Sequence, residues 1–455
     1  MTVDENLLKT RKHLHFIGIG GSGMFPMVQI LHNEGFYITG SDNNETETTK
    51  IERKMGIPVV LGQAAENIEG ADLIVYTAAI MSDNPELIAA KASGVPCLER
   101  SEMLGLLSKR YSKAVCVAGT HGKTTTSGMI AQVLLESGKD PSAFIGGKVK
   151  ALGGSGRAGK SDIFVVEACE FVDTFLKLSN DISIILNIDN DHLDYFGTIE
   201  NSIKSFRKFA ENNTGLLVVN GDDENTMKAV AGLDKEIITF GLDEKNDYYA
   251  KDIKKLGGAK SGYTLMHKGE QVADITLSIP GKHNIMNSMA CAAVCLYLGV
   301  EPETMAENIS KFPGAGRRFE VLGEVNGVTI ADDYAHHPTE LAATLRAAKE
   351  MDFGEVWAVF QPFTYSRTAL LLDDFVTALS VADHVVMSEI MGSREKNTYN
   401  IYTKDLAEKI PGSVWFNTFD EMADYTMSHA KPGDLVITLG CGDVYKCAYI
   451  MAGIK

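Results

Sequence analysis

Short apolar runs alternate with helical patterns in the first hundred residues. An apolar run ending in a glycine turn, followed by a helix with its apolar residues three to four positions apart, is typical of a βαβ unit. Met27, Ile30 and Leu31 form such a helical pattern between the first two runs. The runs predict buried strands at residues 15–19, 37–39, 73–77 and 95–98. We therefore expect a small Rossmann-like domain over residues 1–110.

The alternation continues to the end of the chain. Glycine and proline between Lys311 and Phe319 mark a hinge, which predicts further domains over residues 111–313 and 314–455. The central part has predicted strands at 114–118, 162–167, 182–186, 215–219, 237–240, 263–266 and 273–277, and a helix at 285–298. The last part has predicted strands at 328–331, 356–360, 384–387 and 435–439, and helices at 339–349 and 368–379.

Composition narrows the possible partners. The 455 residues carry a formal net charge of -17, which argues against nucleic acid or an anionic membrane as the main partner. The chain has neither an apolar run of about 20 residues nor a signal-peptide layout at its N-terminus, so we expect a cytoplasmic protein. Its seven cysteines are scattered without a C-x-x-C motif, which favours buried reduced thiols.

A glycine-rich turn follows the first predicted strand. Gly18-Ile-Gly-Gly-Ser-Gly23 is a G-x-G-x-x-G pattern, and the next strand ends at Gly40-Ser41-Asp42. In a βαβ unit this pattern holds a diphosphate at a helix N-terminus, and Asp42 is placed to accept a hydrogen bond from a nucleoside hydroxyl. The alternative is a glycine turn without a ligand.

A second glycine-rich turn carries a lysine. The apolar run 114–118 meets Gly119-Thr-His-Gly-Lys-Thr124, and a helical pattern follows. Gly119 and Gly122 let the backbone approach phosphate oxygens, Lys123 supplies a positive charge and the Thr124 hydroxyl can hold Mg²⁺. The loop is tighter than the usual G-x-x-x-x-G-K-[ST] form, and a turn with a solvated lysine is the alternative. The sequence predicts a central P-loop ATPase-type domain with a mostly parallel sheet.

Polar clusters follow the other predicted strands. Ligands of open parallel sheets gather at the carboxyl ends of strands, so clusters 167–170 and 187–194 should converge on the lysine loop. Thr124, Glu170 and His192 could then share metal ions. Asn284 is either a helix cap or a contact to adenine, and the pair Arg317 and Arg318 is either solvated or a phosphate clamp.

Nine motifs in this order resemble those of the Mur ligase family, and together they span the chain. They are Gly18–Met24, Gly40–Asp42, Asp83-Asn-Pro-Glu86, Ala118–Thr126, Asp191-His-Leu-Asp194, Gly281-Lys-His-Asn284, Gly314–Phe319, Asp332-Asp-Tyr334 with His336–Glu340, and Tyr365-Ser-Arg-Thr368.

The resemblance implies three α/β domains: a UDP-binding Rossmann-like domain, a central ATPase, and a Rossmann-like C-terminal domain that completes the ATP site and binds the amino acid. It implies ATP-dependent ligation of L-alanine to the lactyl carboxylate of UDP-N-acetylmuramate in peptidoglycan synthesis, through an acyl phosphate. The cofactors are ATP and Mg²⁺, with two ions expected. A monomer or weak homodimer is expected, and domain closure is needed if ATP and alanine residues lie on different domains.

The resemblance also implies a role for each matching residue. Lys123, Glu170 and His192 would be catalytic, and Thr124, Glu170 and His192 would hold metal. The expected ATP contacts are Gly119, Thr120, His121, Gly122, Lys123, Thr124, Thr125, Asn284 and Arg318. The expected UDP-substrate contacts are Gly18, Gly20, Gly21, Ser22, Gly23, Ser41 and Asp42, and the expected alanine contacts are Tyr334, His336 and Arg367.

Two departures from the family pattern bear on this expectation. Cys169 stands where many relatives have a carboxylate, and Phe363-Thr364 stands where many have His-Arg, which removes a cation beside the amino acid. The alternatives are a ligase of the same fold that joins a murein peptide or another amino acid, a nucleotide-binding regulator with a degenerate site, and an NAD-dependent oxidoreductase. Retention of Lys123, Thr124, Glu170 and His192 argues against the regulator, and the oxidoreductase leaves the lysine loop unexplained.

Overall fold

The computed structural model describes residues 6–190, 193–256, 260–393 and 395–454, with only the backbone of Leu193 and Asp194. The described chain forms two compact units. The first comprises the residues up to Lys251 with Thr264–Ala273 and Met286–Ile309, and the second comprises Asp252–Tyr263, Asp274–Ile285 and the residues from Ser310 onwards.

The first sheet has five parallel strands in the order β3-β2-β1-β4-β5. Its strands are β1 His13–Ile17, β2 Tyr37–Asp42, β3 Val59–Leu61, β4 Leu73–Tyr76 and β5 Cys97–Glu99. Its helices are α1 Leu7–Thr10, α2 Phe25–Asn33, α3 Glu47–Lys54, α4 Pro85–Ala92 and α5 Arg100–Ser108, with a 3-10 turn at Ala65–Ile68. Helix α4 begins where it does because the Asn84 side chain caps two amides and Pro85 takes the first helical position.

The second sheet has ten strands in the order β15-β14-β13-β12-β11-β10-β6-β9-β7-β8. Its strands are β6 Lys113–Ala118, β7 Ser142–Val149, β8 Gly154–Arg157, β9 Ile163–Glu167, β10 Ile182–Ile185, β11 Leu216–Asn220, β12 Glu236–Gly241, β13 Tyr248–Lys255, β14 Ser261–His267 and β15 Glu270–Leu277. Its helices are α6 Lys123–Glu136, α7 Leu193–Phe196, α8 Ile199–Glu211, α9 Glu224–Val230, α10 Lys282–Tyr297 and α11 Pro302–Ser310, with 3-10 turns at Lys150–Leu152 and Phe171–Lys177.

The third sheet has six strands in the order β16-β17-β21-β18-β19-β20. Its strands are β16 Glu320–Val325, β17 Val328–Asp333, β18 Val356–Phe360, β19 His384–Ser388, β20 Val414–Phe416 and β21 Leu435–Leu439. Its helices are α12 Pro338–Lys349, α13 Tyr365–Leu370, α14 Leu372–Leu379, α15 Thr403–Ala407, α16 Phe419–His429 and α17 Tyr445–Ala452. Apolar clusters cover both faces of this sheet, as expected for a sheet of buried parallel strands.

The predicted three-domain α/β fold with mostly parallel sheets is confirmed. The domain boundaries near residues 110 and 313 remain a prediction, and they fall between the sheets. The first two sheets share one apolar cluster, which includes Phe16, Leu107, Phe164 and Phe175. Both sheets therefore contribute side chains to one packed core.

Some elements differ from the prediction. The helix expected at 368–379 is two helices, because Leu371, with φ -114° and ψ 25°, interrupts it. The β7–β8 hairpin and the short strand β3 were not predicted. In the described part of the chain, no helix is both long enough and apolar enough to cross a bilayer.

Candidate active site

The loop between β6 and α6 has a positive φ at two glycines. Gly119 has φ +143° and Gly122 has φ +88°, where other residues are strained. A Cβ on Gly122 would also lie 2.6 Å from Oδ1 of Asn287. Gly122 is the residue before the first turn of the fourteen-residue helix α6, whose first amides carry partial positive charge. The loop is therefore shaped to receive an anion.

Lys123, the first residue of α6, folds back onto this loop. Its ammonium donates to the carbonyl oxygens of Gly119 at 2.6 Å and Thr120 at 3.1 Å. It also forms an ion pair with Glu170, with Nζ to Oε2 at 3.0 Å. Burial lowers the pKa of Lys123, but the negative charge of Glu170 and its neighbours outweighs burial and raises the pKa to about 12. Lys123 is therefore a fixed positive charge inside the loop.

The hydroxyl of Thr124 is held by a carboxylate that the sequence reasoning missed. Thr124 Oγ1 donates to Oε1 of Glu167 at 3.1 Å, and the Gly146 amide donates to Oε2 of the same residue at 2.8 Å. Glu167 is the last residue of β9, which pairs in parallel with β6 and places residue 167 beside Val117. The position of Glu167 at the end of a predicted strand, within the polar cluster 167–170, is the signal that could have identified it.

Two of the predicted metal ligands, Thr124 and Glu170, have different contacts. Glu170 is 2% exposed and lies against Lys123, whereas Glu167 contacts Thr124. His192 lies outside the described residues. A hydroxyl and a carboxylate oxygen 3.1 Å apart are the donor types that Mg²⁺ prefers, so Thr124 and Glu167 fit this ion.

Asn187 clamps the first half of the loop. Its Oδ1 accepts from the His121 amide at 2.8 Å, and its Nδ2 donates to the His121 carbonyl at 3.0 Å. Thr120 donates its amide to the Asn187 carbonyl, and its hydroxyl accepts from the Asp189 amide at 2.9 Å. Thr125 is buried in the first turn of α6. Asn187 was not singled out, although it begins the polar cluster that follows β10.

The glycine loop between β1 and α2 is equally tight. Gly18 has φ +80°, and a Cβ there would lie 2.5 Å from Thr77 Cγ2. A Cβ on Gly20 would lie 2.5 Å from Thr49 Cγ2. The loop turns through Gly21, whose carbonyl accepts from the Met24 amide at 2.9 Å, and Ser22 lies within this turn. A Cβ on Gly23 would lie 3.4 Å from Nη1 of Arg100, so a cation that was not predicted adjoins the loop.

Asp42 lies at the end of β2, facing that loop. Its Oδ2 accepts from the Gly20 amide at 3.0 Å. The preceding Ser41 is buried and donates to Oε2 of Glu86 at 2.7 Å. Glu86 is fully buried, and its Oε1 lies 2.7 Å from Nε2 of His15 on β1. This polar network fixes the end of β2 and with it the carboxylate of Asp42.

In the second unit, the two neighbouring arginines have different surroundings. Arg317 donates through Nε to Oδ2 of Asp332 at 2.8 Å and through Nη1 to the Gly442 carbonyl at 3.2 Å. Its guanidinium also lies 5.0 Å from the ring centre of Tyr334. Arg318 lies 5.4 Å from the same ring. Arg317 is therefore engaged with its own domain, and Arg318 is the better candidate for a ligand contact.

Tyr334, His336 and Arg367 share one neighbourhood of the second unit. The rings of Tyr334 and His336 are 5.5 Å apart. Burial lowers the pKa of His336, with Glu340 opposing and Arg367 adding to this decrease. Nη1 of Arg367 is buried and has no hydrogen-bond partner among the described residues. These groups can bind a small zwitterion.

Asp333 organises the backbone around this neighbourhood. It accepts from the amides of Phe319 and Ala335, both at 2.7 Å. Burial raises its pKa to about 6, with Arg318 opposing. Asn284, also in the second unit, lies in the first turn of α10 and donates to the Pro280 carbonyl at 2.6 Å.

Comparison with known proteins identifies the family. Residues 13–112 match the Mur ligase family catalytic domain, residues 117–295 the Mur ligase middle domain, and residues 317–442 the glutamate ligase domain of Mur ligases. A UDP-N-acetylmuramate--L-alanine ligase of Agathobacter rectalis is 46% identical over 439 residues, which cover 95% of this chain and 96% of that protein. The chain belongs to the Mur ligase family.

The similarity to a second Mur ligase also covers nearly the full length of both proteins. The UDP-N-acetylmuramate--L-alanine ligase of Caldanaerobacter subterraneus subsp. tengcongensis is 45% identical, covering 96% of this chain and 97% of that protein. The crystal structure of UDP-N-acetylmuramate-alanine ligase from Thermotoga maritima has a TM-score of 0.83 and 29% identity, covering 97% of this chain and 98% of that one. The Mur ligase fold therefore extends over nearly the whole chain.

Proposed function

We propose that this Mur ligase joins L-alanine to the lactyl carboxylate of UDP-N-acetylmuramate at the expense of ATP, giving UDP-N-acetylmuramoyl-L-alanine, ADP and phosphate. The proposal is supported by the curated relatives that carry this name over almost the whole chain. It places the protein in peptidoglycan precursor synthesis.

One observation in the structure carries the proposal: a single compact unit holds two separate anion-binding loops. The Gly18–Gly23 loop with Asp42 suits a nucleoside diphosphate, and the Gly119–Thr124 loop with Lys123 suits a triphosphate. An NAD-dependent oxidoreductase would use the first loop alone. A ligase that joins a UDP-linked acid through ATP uses both.

Each loop has a defined task in this proposal. Gly18, Gly20, Gly21, Ser22 and Gly23 bind the diphosphate of the UDP substrate, and Asp42 accepts from a ribose hydroxyl. Gly119 to Thr125 surround the ATP phosphates. In the second unit, Asn284 contacts adenine, Arg318 contacts a phosphate, and Tyr334, His336 and Arg367 bind alanine.

The reaction has two steps. An oxygen of the lactyl carboxylate attacks the γ-phosphorus, the bond to the β-phosphate oxygen breaks, and ADP leaves with the electron pair. The uncharged amine of alanine then attacks the acyl carbon, loses a proton, and expels phosphate. Lys123 and the α6 amides stabilise negative charge on the transferring phosphoryl group, and the loops align the reacting atoms.

We propose that ATP binds together with Mg²⁺. When bound, it neutralises charge on the phosphate oxygens. We propose Thr124 and Glu167 as its ligands, with Glu170 nearby and His192 as the predicted ligand of a second ion. We also propose a cytoplasmic location and a monomer or weak homodimer.

The test is a phosphate-release assay with purified protein and Mg·ATP. We expect release only when UDP-N-acetylmuramate and L-alanine are both present. Glycine, L-serine and the tripeptide L-alanyl-γ-D-glutamyl-meso-diaminopimelate replace alanine in parallel reactions, because Phe363-Thr364 bears on amino-acid preference.

Each outcome of this assay has a meaning. Full ATP turnover with either substrate omitted contradicts the ligase mechanism. Preference for the tripeptide over alanine replaces the proposal with a murein peptide ligase. Binding of NADH but not UDP, measured by titration, contradicts the role of the first loop.

A further inference from the structure

The β7–β8 hairpin packs against the helices that follow the two anion-binding loops, and nothing above gives it a function. Strands β7 and β8 pair antiparallel at the edge of the second sheet. Both strands pack against α2, the helix that follows the glycine loop, and β7 also packs against α6, the helix that follows the lysine loop. All of these elements belong to the first unit.

The hairpin meets α2 by a contact between backbones. A Cβ on Gly156 would lie 2.5 Å from Cα and 2.7 Å from the carbonyl oxygen of Pro26. Neither atom belongs to a flexible side chain, so neither can move without moving the helix. Pro26 is the second residue of α2 and follows Gly23 by three positions. Gly156 therefore sets how closely the end of the glycine loop approaches the second sheet.

The hairpin also connects to the lysine loop, through Glu167. The Gly146 amide donates to Oε2 of Glu167 at 2.8 Å, and Oε1 accepts from the hydroxyl of Thr124 at 3.1 Å. A Cβ on Gly146 would lie 2.8 Å from both carboxylate oxygens. Strand β7 also pairs in parallel with β9, the strand that ends at Glu167. The hairpin is thus connected to the glycine loop through α2 and to the lysine loop through Glu167.

We propose that the β7–β8 hairpin is a rigid spacer that sets the distance between the glycine loop and the lysine loop, with Gly156 as its positioning residue. The inference rests on the proposed function, in which a carboxylate of the UDP-linked substrate must reach the γ-phosphate of ATP. Reacting atoms need to approach to about 3–3.5 Å, and an error of about 1 Å costs about 100-fold in rate.

The test is Gly156→Ala, with Gly154→Ala as the matched control. A methyl group at 156 has to move Pro26 by about 1 Å to reach ordinary contact distance. A misplacement of about 1 Å between reacting atoms is enough to lower the rate by about 100-fold. Gly154 lies two residues away on the same strand, and its nearest neighbour would be Oε1 of Gln29 at 3.5 Å, which is an ordinary contact. The measurements are kcat, the KM of each substrate, the Kd of UDP alone, the Kd of Mg·ADP alone, and the melting temperature.

We expect Gly156→Ala to lower kcat by about 10- to 100-fold while both Kd values stay within about twofold of wild type. Binding of either ligand alone does not depend on the distance between the two loops, whereas the reaction does. Gly154→Ala should behave as wild type. An unchanged kcat in Gly156→Ala overturns the spacer. A parallel loss of UDP or ADP affinity overturns it too, because that result indicates local damage to a loop.

If Gly156→Ala does not yield folded protein, Pro26→Gly is measured instead. This change adds no atom beside Gly156, and it removes the fixed φ of the proline at position 26, where α2 contacts the hairpin. We expect kcat to fall by about 3- to 10-fold, which is less than the loss expected from a displacement of about 1 Å. The Kd values of UDP and Mg·ADP should remain as in wild type. An unchanged kcat overturns the spacer. Failure of the proposed function is distinguishable, because wild type itself would then show no alanine-dependent phosphate release.

Discussion

At the scale of single residues, the structure assigns different tasks to charged groups that look alike in the sequence. Lys123 is enclosed by loop carbonyls and Glu170, so its charge is fixed in place. Arg317 is tied to Asp332 and to backbone carbonyls, whereas Arg318 lies over Tyr334. Burial and hydrogen-bond partners, which the sequence does not contain, separate these roles.

Lys123→Ala should reduce phosphate release by about 10³-fold, because it removes positive charge from the transferring phosphoryl group. Lys113→Ala is the control, since Lys113 begins β6, the strand that leads into the loop, but is half exposed and paired with Asp162. The two variants are compared by kcat at saturating substrates. Activity of Lys123→Ala close to that of Lys113→Ala would exclude the assigned role.

Glu52 is a buried carboxyl group that weakens the fold at neutral pH. It is fully buried, neither oxygen has a hydrogen-bond partner among the described residues, and burial, with Asp42 adding, raises its pKa to about 8. In the unfolded chain it ionises near pH 4.5, so stability is lost as pH rises from there to about 8. The cost at pH 7 is about 3 kcal/mol.

Glu52→Leu should therefore stabilise the protein, with a gain that grows between pH 5 and 8. The free energy of unfolding is measured by urea denaturation at several pH values. Glu69→Leu is the control, because Glu69 is exposed. A gain that does not depend on pH would show that Glu52 is not held protonated in the folded state.

At the scale of elements, strand ends supply the chemistry of the lysine loop. The loop after β6 contacts the end of β9 through Thr124 and Glu167, and the segment after β10 through His121 and Asn187. Parallel pairing of these three strands brings the segments to one edge. The clamp by Asn187 keeps the loop amides ordered before a nucleotide binds.

Asn187→Ala should weaken the binding of Mg·ADP by about 30-fold. The change removes two hydrogen bonds to His121, each worth about 1 kcal/mol, and leaves the loop to be ordered by the ligand. Calorimetric titration measures the Kd. Asn190→Ala is the control, since the Asn190 side chain is exposed. Equal affinities for the two variants would contradict the clamp.

The apolar pattern was sufficient to predict the strands that carry the site but not its finer geometry. Runs such as 114–118 and 182–186 are bounded by turn signals, so β6 and β10 were predictable. The contact between Thr124 and Glu167 was not, because it depends on how β6 and β9 pair, and an apolar run does not specify its neighbour in the sheet.

The β7–β8 hairpin was missed for a different physical reason. Its second strand reads Gly-Ser-Gly-Arg, which has low intrinsic preference for strands. The glycine at 156 is required by the close approach of Pro26, a residue 130 positions earlier in the chain. A contact of this range leaves no signal in the local sequence.

At the scale of the whole molecule, the first two sheets form one packed body. Helix α5 approaches the turn that follows β9 so closely that a Cβ on Gly105 would lie 2.6 Å from the Lys177 carbonyl. The Ser179 amide also donates to the hydroxyl of Ser108 at 2.9 Å. The sequence pattern did not indicate this shared core, because apolar strands look the same whether a core is shared or not.

The shared core predicts that these two sheets unfold together. Hydrogen exchange of β1 and β6 amides should report the same free energy of opening, because exposing Phe16 disrupts the cluster that also buries Phe164. The measurement is native-state exchange in increasing denaturant, followed by mass spectrometry. A lower opening free energy for β1 alone would show that the first sheet is an independent domain.

The most direct test of the account follows an oxygen atom through the reaction. UDP-N-acetylmuramate labelled with ¹⁸O in its lactyl carboxylate is incubated with Mg·ATP, L-alanine and the enzyme, and the released phosphate is analysed by mass spectrometry. The account predicts one carboxylate oxygen in each phosphate, because that oxygen attacks the γ-phosphorus and leaves with it. Phosphate released without the label would contradict the acyl-phosphate ligation on which the account depends.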